Sequence, residues 1–407
     1  MQTIFTVMMM DENTKLYIKN HLNDDVFQLA LDNKRTDIDI QLALRQISGY
    51  QILKRKVPAW TEFDNLLYPV HLSLEQCSSE NTAKFKAKVI SDLFSDKEYT
   101  LLDMTCGFGV DAYYISQNAS SAILIEKDKE LSEITRHNFE FFNRHAEVIN
   151  CDAEEFLKTN SNKYDIVFID PARRGKNGEK VVLLENCTPN ISLLIPEIKK
   201  ITNYLAIKLS PMFDIKQLLS QLQCVKSIYS IGVDNECKEI FVIIDFCTTD
   251  SNTKIVAVNI SESDNEISIM QSDFFEEASI ESVYPSDFGK YLYEPYASFL
   301  KSGLYKTIAN RYDANKINVN SHLYTSNEII KNFPGRKFEI VDIVEFNKKE
   351  AKRFFKKYDK ANITVRNFPI TADNIRNNYK VKNGGDNYVF ATTIFPSKRV
   401  LINCKKI

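Results

Sequence analysis

Along the first sixty residues, apolar positions recur every three or four places. Val26, Phe27, Leu29, Ala30 and Leu31, then Leu42, Leu44, Ile47, Ile52 and Leu53, describe helices with one buried side. No strand-like run of more than a few residues interrupts them, and residues 1–62 are expected to form a helical domain. Between Lys56 and Pro69 the composition turns to Pro, Trp and Tyr, and Glu75 to Ser95 reads as one helix entered through the polar stretch QCSSENTA. Trp60 in this region could stack on a base, but a lone Trp beside a proline more often packs between domains.

At Thr100 the period changes. Short β-rich runs now alternate with helical stretches, the pattern of a parallel sheet with crossovers. The strands are YTLLDM, SAILIE, AEVINC, DIVFID and YLAIKL, followed by VKSIYSIG and EIFVIIDF. Only VDNECK separates the last two, a turn short enough to require an antiparallel hairpin. Residues 63–250 are thus expected to form a Rossmann-like α/β core in which five parallel strands are closed by a hairpin. Dehydrogenase folds end instead on a parallel sixth strand, whereas class I methyltransferases have this seven-stranded plan.

Past Asp245 the Ser/Thr/Asp/Asn cluster CTTDSNTK reads as a linker, and 251–333 is a mixed segment. From 334 to 407 the order is strand FEIVDIVEF, helix NKKEAKRFFKKY, strand NITVRNF, helix TADNIRNNYK, then strands NYVFATTIF and RVLINCKK. That βαβαββ order predicts a small α+β sandwich.

Composition adds limits. With 44% hydrophobic and 26% charged residues, the 407-residue chain has an ordinary globular balance. Its longest apolar runs stop far short of the roughly 20 residues a membrane span needs, so a cytoplasmic protein is expected. The eight cysteines (77, 106, 151, 187, 224, 237, 247 and 404) show no CxxC pair, and the five histidines (21, 71, 137, 145 and 322) show no metal-ligand spacing; no metal is expected. The net charge of −2 hides an asymmetry. Residues 347–407 hold 15 Lys and Arg against four acids, a balance of +11 that leaves −13 elsewhere. Such a basic end suits a polyanion, nucleic acid above all, with Lys352, Arg353, Lys356, Arg366, Arg376 and Arg399 as the candidate contacts; the competing reading is a solvated helix face.

The chemistry concentrates at the ends of the core strands, where doubly wound sheets bind ligands. In LLDMTCGFGVD, Asp103 ends the first strand, and Thr105, Cys106, Gly107, Phe108 and Gly109 form a turn of the D-x-G-x-G-x-G type with threonine in place of its first glycine. Glycines there let a ligand approach the backbone. A turn of this kind also serves NAD, so later residues must discriminate. Glu126, followed by Lys127, stands where an acid accepts ribose hydroxyls. Asp152, followed by Ala153, stands where methyltransferases bond the adenine amine, although either acid alone could be a simple helix cap. Together they point to S-adenosylmethionine, with Asp103 meeting its ammonium group. Upstream, Gln76 and Thr82 could reach the cofactor carboxylate, or Ser78 or Ser79 could simply cap the helix.

The fourth strand leads into DPARRG, where Asp170 and Pro171 resemble the motif of base-modifying enzymes but Ala172 replaces the stacking aromatic. The form is similar to D-P-P-R-x-G of uracil-5-methyltransferases, yet the KLSPMFD loop lacks their nucleophilic cysteine. Direct transfer to nitrogen or oxygen is left, with Asp170 orienting or deprotonating the acceptor. Arg173 and Arg174 would hold a phosphate or carbonyl, or form a structural salt bridge.

With these residues in hand, the chain resembles a bacterial family of class I methyltransferases with a C-terminal THUMP-like domain. The matching pieces are KVPAW, YPVHLSLEQCSSENTAKFKA, LLDMTCGFGVDAYYIS, DIVFIDPARRG, KLSPMFD, EPYASFLKSGLY, ITVRNFP and GGDNYVFATT, spread over most of 54–407. The resemblance implies a ferredoxin-like segment around 286–333, a THUMP-like end and a structured RNA substrate, tRNA or rRNA. A small-molecule or protein acceptor, and a cofactor-binding or RNA-binding scaffold without activity, are the competing readings.

Overall fold

The computed structural model describes residues 10–32, 35–142, 146–173, 183–248, 252–264, 266–285 and 288–407, and of Asp32 and Arg173 only the backbone. Arg174 and His145 lie outside the described residues. The chain divides into two compact units, Met1–Lys226 with Ile240–Ser251, and Ser227–Glu239 with Asn252–Ile407.

The first unit opens with helices α1 (Glu12–His21), α2 (Val26–Asp32) and α3 (Ile40–Lys56). Asp11 and Asp39 start α1 and α3 by accepting the Thr14 and Leu42 amides, which the helices themselves leave unpaired. Tyr17, Ala43 and Ile47 form the small core between α1 and α3. A 3-10 turn at Pro58–Glu62 follows and inserts Trp60, fully buried, among Phe108, Tyr113 and Phe142 at ring distances of 4.6–5.3 Å. Trp60 therefore belongs to the core of this unit and has no face open for a base.

The single helix expected over 75–95 is two, α4 (His71–Gln76) and α5 (Glu80–Leu93). Cys77 is extended, and Ser79 accepts the Thr82 amide at 3.4 Å, so the hydroxyl-rich stretch caps a new helix and does not continue the old one.

The sheet of this unit has β1 (Tyr99–Asp103) at its centre, with β2 (Ala119–Glu126) and β3 (Ala146–Asn150) on one side. On the other lie β4 (Tyr164–Ile169) and, beyond the short pair β5 (Ala172–Arg173) and β6 (Cys187–Thr188) in sequence, β7 (Thr202–Leu209). All five core strands are parallel, in the order β3-β2-β1-β4-β7. Their crossovers carry α6 (Val110–Ile115), α7 (Lys129–Phe141), α8 (Ala153–Thr159) and α9 (Ile191–Ile201), and α10 (Ile215–Gln221) follows β7. The hairpin β8 (Val225–Val233) and β9 (Glu236–Asp245) turns through Asp234 and Asn235, both at positive φ (46° and 67°), the backbone a two-residue hairpin demands. Ile240–Asp245 returns antiparallel to β7. Parallel strands closed by an antiparallel return are the expected plan.

In the second unit, β10 (Lys254–Ile260) pairs parallel with β8, and β11 (Ile267–Ser272) antiparallel with β10, two strands within the stretch that the sequence pattern marks only as mixed. After α11 (Phe274–Ser279) come β12 (Tyr291–Pro295), α12 (Ala297–Ser302), α13 (Tyr305–Arg311), β13 (Asn315–Lys316) and β14 (Tyr324–Ser326). The βαβαββ order then appears as β15 (Gly335–Glu345), α14 (Lys348–Lys357), β16 (Asn362–Arg366), α15 (Ala372–Tyr379), β17 (Tyr388–Ile394) and β18 (Lys398–Lys406). These strands and β12–β14 share one sheet, ordered β13-β14-β12-β15-β18-β17-β16 and antiparallel except for β16 beside β17. Phe354 and Phe355 of α14 and Ile375 of α15 pack with Val389, Ala391 and Leu401; Phe338, Phe390 and Ile402 belong to a second core with Leu292.

One ion cluster ties this sheet together. Glu294 of β12 is 2% exposed and accepts from Arg336 of β15 and, at 2.8 and 3.1 Å, from Arg366 of β16. Removing the carboxylate would leave two guanidiniums, each in part solvent-screened, without their counter-charge. Glu294→Ala is expected to destabilise the second unit by about 2 kcal/mol, below the usual cost of breaking a fully buried pair because the arginines reach water. Urea denaturation monitored in that unit checks this; an unchanged midpoint would show that the pairs contribute nothing.

Candidate active site

The turn after β1 is built by backbone donors meeting side-chain acceptors. Asp103, 1% exposed, accepts the Thr105 amide at 2.9 Å. The Thr105 hydroxyl oxygen in turn accepts the Asp170 amide at 2.6 Å, so the residue in place of the first glycine joins the turn after β1 to the end of β4. Glu126 takes the Gly107 amide on Oε2 at 3.0 Å and the Asp128 amide on Oε1 at 2.8 Å, pinning the turn to the end of β2. Burial pushes the carboxyl of Asp103 well above the usual range and raises that of Glu126 as well.

The two glycines do different work. Gly107 has φ of +55°, and a Cβ built on it would meet nothing within 4 Å; it borders open space. Gly109, at φ +85°, would place a Cβ 2.7 Å from the Phe139 ring and 3.1 Å from Thr135 Cγ2. The first leaves room for a ligand at the backbone, and the second lets the turn close against α7.

Beneath the turn lies a cluster absent from the sequence expectations. Asp111, on the first turn of α6, accepts the Ser78 hydroxyl at 2.7 Å and lies 3.1 Å from the ammonium of Lys86, which is fully buried. Lys86 also donates to the Ser78 oxygen at 3.2 Å. Lys208, at the end of β7, spans Asp111 at 3.4 Å and Asp170 at 2.7 Å. Burial opposes the charge on Asp111, but the Lys86 and Lys208 ammoniums and the Ser78 hydroxyl outweigh it and hold its carboxyl below the ordinary range. Positive and negative groups thus alternate from α5 through α6 and β7 to the loop after β4. A signal was present: Lys208 interrupts the apolar strand YLAIKL, and Lys86 sits among the apolar positions of α5.

The other expected residues fall as follows. Asp152 accepts the Glu154 amide at 2.8 Å and caps α8, with Ala153 buried behind it. Thr82 is buried with its hydroxyl on the Ser79 carbonyl at 3.2 Å, whereas Gln76 and Lys127 are exposed. Cys106 and Phe108 are buried. Pro171 is half-buried directly after Asp170, and the backbone of Arg173 pairs with Cys187 in the β5–β6 ribbon. Cys187 is buried close enough to Asp170 to feel its charge; burial first, and that carboxylate second, push its thiol up to about 11.

Among the terminal bases, Lys352, Arg353 and Lys356 are exposed on α14, and Arg399 is exposed on β18. Arg366 is held by Glu294, and Arg376 by Asp373 at 2.8 Å. The last two are thus already neutralised within the fold. No described helix is long and apolar enough to cross a membrane.

Strand order, antiparallel return and glycine turn define the class: a class I methyltransferase fold. Three family profiles match the chain, described as "Conserved hypothetical protein 95" over 87–191, a ferredoxin-like domain over 291–334 and "THUMP domain-like" over 335–406. A putative methyltransferase of Porphyromonas gingivalis W83 is similar over 97% of both chains, at 28% identity and a TM-score of 0.83. An uncharacterized RNA methyltransferase of Mycoplasma mobile is 24% identical over 180 residues, 44% of this chain and 48% of that protein. The ribosomal RNA small subunit methyltransferase J of Coxiella burnetii is 28% identical over 79 residues, 18% of this chain and 31% of that protein. The chain spans about half the length, or less, of these two curated relatives. The chain thus joins a core similar to these methyltransferases to C-terminal segments that match ferredoxin-like and THUMP-like domains.

The contrast between the glycines predicts two kinds of failure. Gly109→Ala should destabilise the first unit by about 2 kcal/mol or more, through the clash with α7 and the left-handed backbone. Gly107→Val should lose S-adenosylmethionine binding while costing only about 1 kcal/mol in stability, the strain of a side chain at positive φ. Calorimetric titration with the cofactor and thermal melts separate the two; equal cofactor affinity in Gly107→Val and wild type would remove the turn from the binding site.

Proposed function

We propose that this protein is an S-adenosylmethionine-dependent methyltransferase acting on structured RNA, tRNA or rRNA, by direct transfer to nitrogen or oxygen. The observation that carries this reading is the convergence of Asp103, Gly107, Glu126 and Asp170 through shared hydrogen bonds at the carboxyl ends of β1, β2 and β4. The residues fit the cofactor. A buried carboxylate at Asp103 suits an ammonium, whose charge would offset the cost of its desolvation. Each Glu126 oxygen accepts one amide and has a second lone pair for a ribose hydroxyl. The open space beside Gly107 admits the methionine portion.

The bound cofactor would supply an electrophilic methyl group, and the protein's task is alignment. Lys208 occupies Asp170 Oδ2, while Oδ1 has no hydrogen bond among the described residues and is the oxygen available to an acceptor N–H or O–H. Taking that hydrogen bond would aim the acceptor lone pair at the methyl group. Arg173 and Arg174 follow in the chain and would meet a phosphate. Covalent activation through a thiolate is disfavoured, because the Cys187 thiol beside Asp170 holds its proton to about 11 and the Cys106 thiol is raised well above its ordinary value, both chiefly by burial. The RNA acceptor is supported by the basic THUMP-like end with its exposed Lys352, Arg353, Lys356 and Arg399, and by the RNA methyltransferases among the relatives.

Nucleoside mass spectra of bulk RNA from cells with and without the gene should differ in one methylated nucleoside, which purified protein restores in vitro. Identical spectra, together with no methyl transfer to RNA in vitro, would exclude RNA as the acceptor. Asp170→Asn should lower turnover about 100-fold or more and leave cofactor affinity within a few-fold of wild type. Full turnover in that variant would remove Asp170 from the mechanism.

A further inference from the structure

We infer that Lys208 is a positioning residue: it locks the Asp170 carboxylate into its working rotamer and is itself anchored from below by the buried Asp111–Lys86–Ser78 cluster. The inference rests on the proposed role of Asp170 in methyl transfer. Three observations carry it. Lys208 is 11% exposed, and its ammonium lies 2.7 Å from one oxygen of Asp170 and 3.4 Å from Asp111. Asp111 is held in turn by Ser78 at 2.7 Å and by Lys86 at 3.1 Å, so the lysine's lower contact is itself anchored on two sides. Asp170 is 34% exposed, has its amide fixed on Thr105 at 2.6 Å, and makes its one side-chain hydrogen bond among the described residues to Lys208.

A half-exposed aspartate on a loop would otherwise sample several rotamers. Reaction by alignment tolerates little of that, since misplacement of an ångström costs orders of magnitude in rate. The ammonium fixes Oδ2 and thereby the direction of Oδ1. It also joins the acceptor-binding loop to the helix that starts directly after the cofactor turn, so the two substrates' sites are indexed to one buried group. Lys208 acts through Asp170 and need not touch the transferred methyl group or the acceptor.

The test uses the full-length chain, S-adenosylmethionine, and total RNA from cells lacking the gene as methyl acceptor. Lys208→Met should bind the cofactor within about threefold of wild type while kcat falls about 30-fold or more and KM for RNA changes little. Added methylammonium should recover part of the lost kcat in Lys208→Ala, a response that a purely structural lysine would not give. In a double-mutant cycle, Lys208→Met combined with Asp170→Asn should lose no more than Asp170→Asn alone. If Lys208→Met is unfolded by thermal melt, the cycle is run with Lys208→Arg, which keeps the charge but moves it. Wild-type turnover in the folded Lys208 variants, or losses that multiply in the cycle, would overturn this inference alone. A wild-type chain that neither binds the cofactor nor methylates RNA overturns the reading of the core and this inference with it.

Discussion

A carboxylate removed from water must find compensating charge, and in this protein that requirement organises the core of the first unit around Asp111. Burial alone would favour its protonated form; Lys86 and Lys208 reverse the balance, and Ser78 completes the set. Each partner comes from a different element. Ser78 lies in the break between α4 and α5, Lys86 on α5, and Lys208 at the end of β7, so satisfying one anion fixes the mutual placement of three segments around the glycine turn. The interruption of the helix at Cys77–Ser79 then has a purpose, because a continuous helix would not present Ser78 in that way.

Above this layer the turn itself is stabilised mainly by backbone amides. Asp103, Glu126 and the Thr105 hydroxyl accept amides from Thr105, Gly107, Asp128 and Asp170, giving the turn directional hydrogen bonds on side chains that are largely withdrawn from solvent. Such a turn is preorganised, as the proposed methyl transfer would require.

In the second unit charge is used in two ways. Glu294 engages Arg336 and Arg366 inside the sheet, while Lys352, Arg353 and Lys356 stand on the outer face of α14 opposite the buried Ala351, Phe354 and Phe355. The +11 balance of residues 347–407 therefore overstates the charge presented to a partner. Some of it is consumed in holding β12, β15 and β16 together.

Much of the fold was legible in the chain alone, because periodicity is local. Five parallel core strands, the tight hairpin after β8 and the βαβαββ order of the terminal domain follow from alternation, helical spacing and turn residues. Asp103 and Glu126 end strands, Asp170 directly follows one and Gly107 lies in the glycine-rich turn, positions that the strand pattern and the turn motif mark together. The strands β10 and β11 lie in a mixed stretch whose local pattern does not mark them. Only the tertiary structure decided which charges meet: Lys208 is 97 residues from Asp111 and 38 from Asp170, and Arg366 is 72 from Glu294. Local pattern determines which elements form; strand order and packing determine which distant ends converge. An ion pair depends on that convergence, so the cluster beneath the glycine turn had to be seen in the fold.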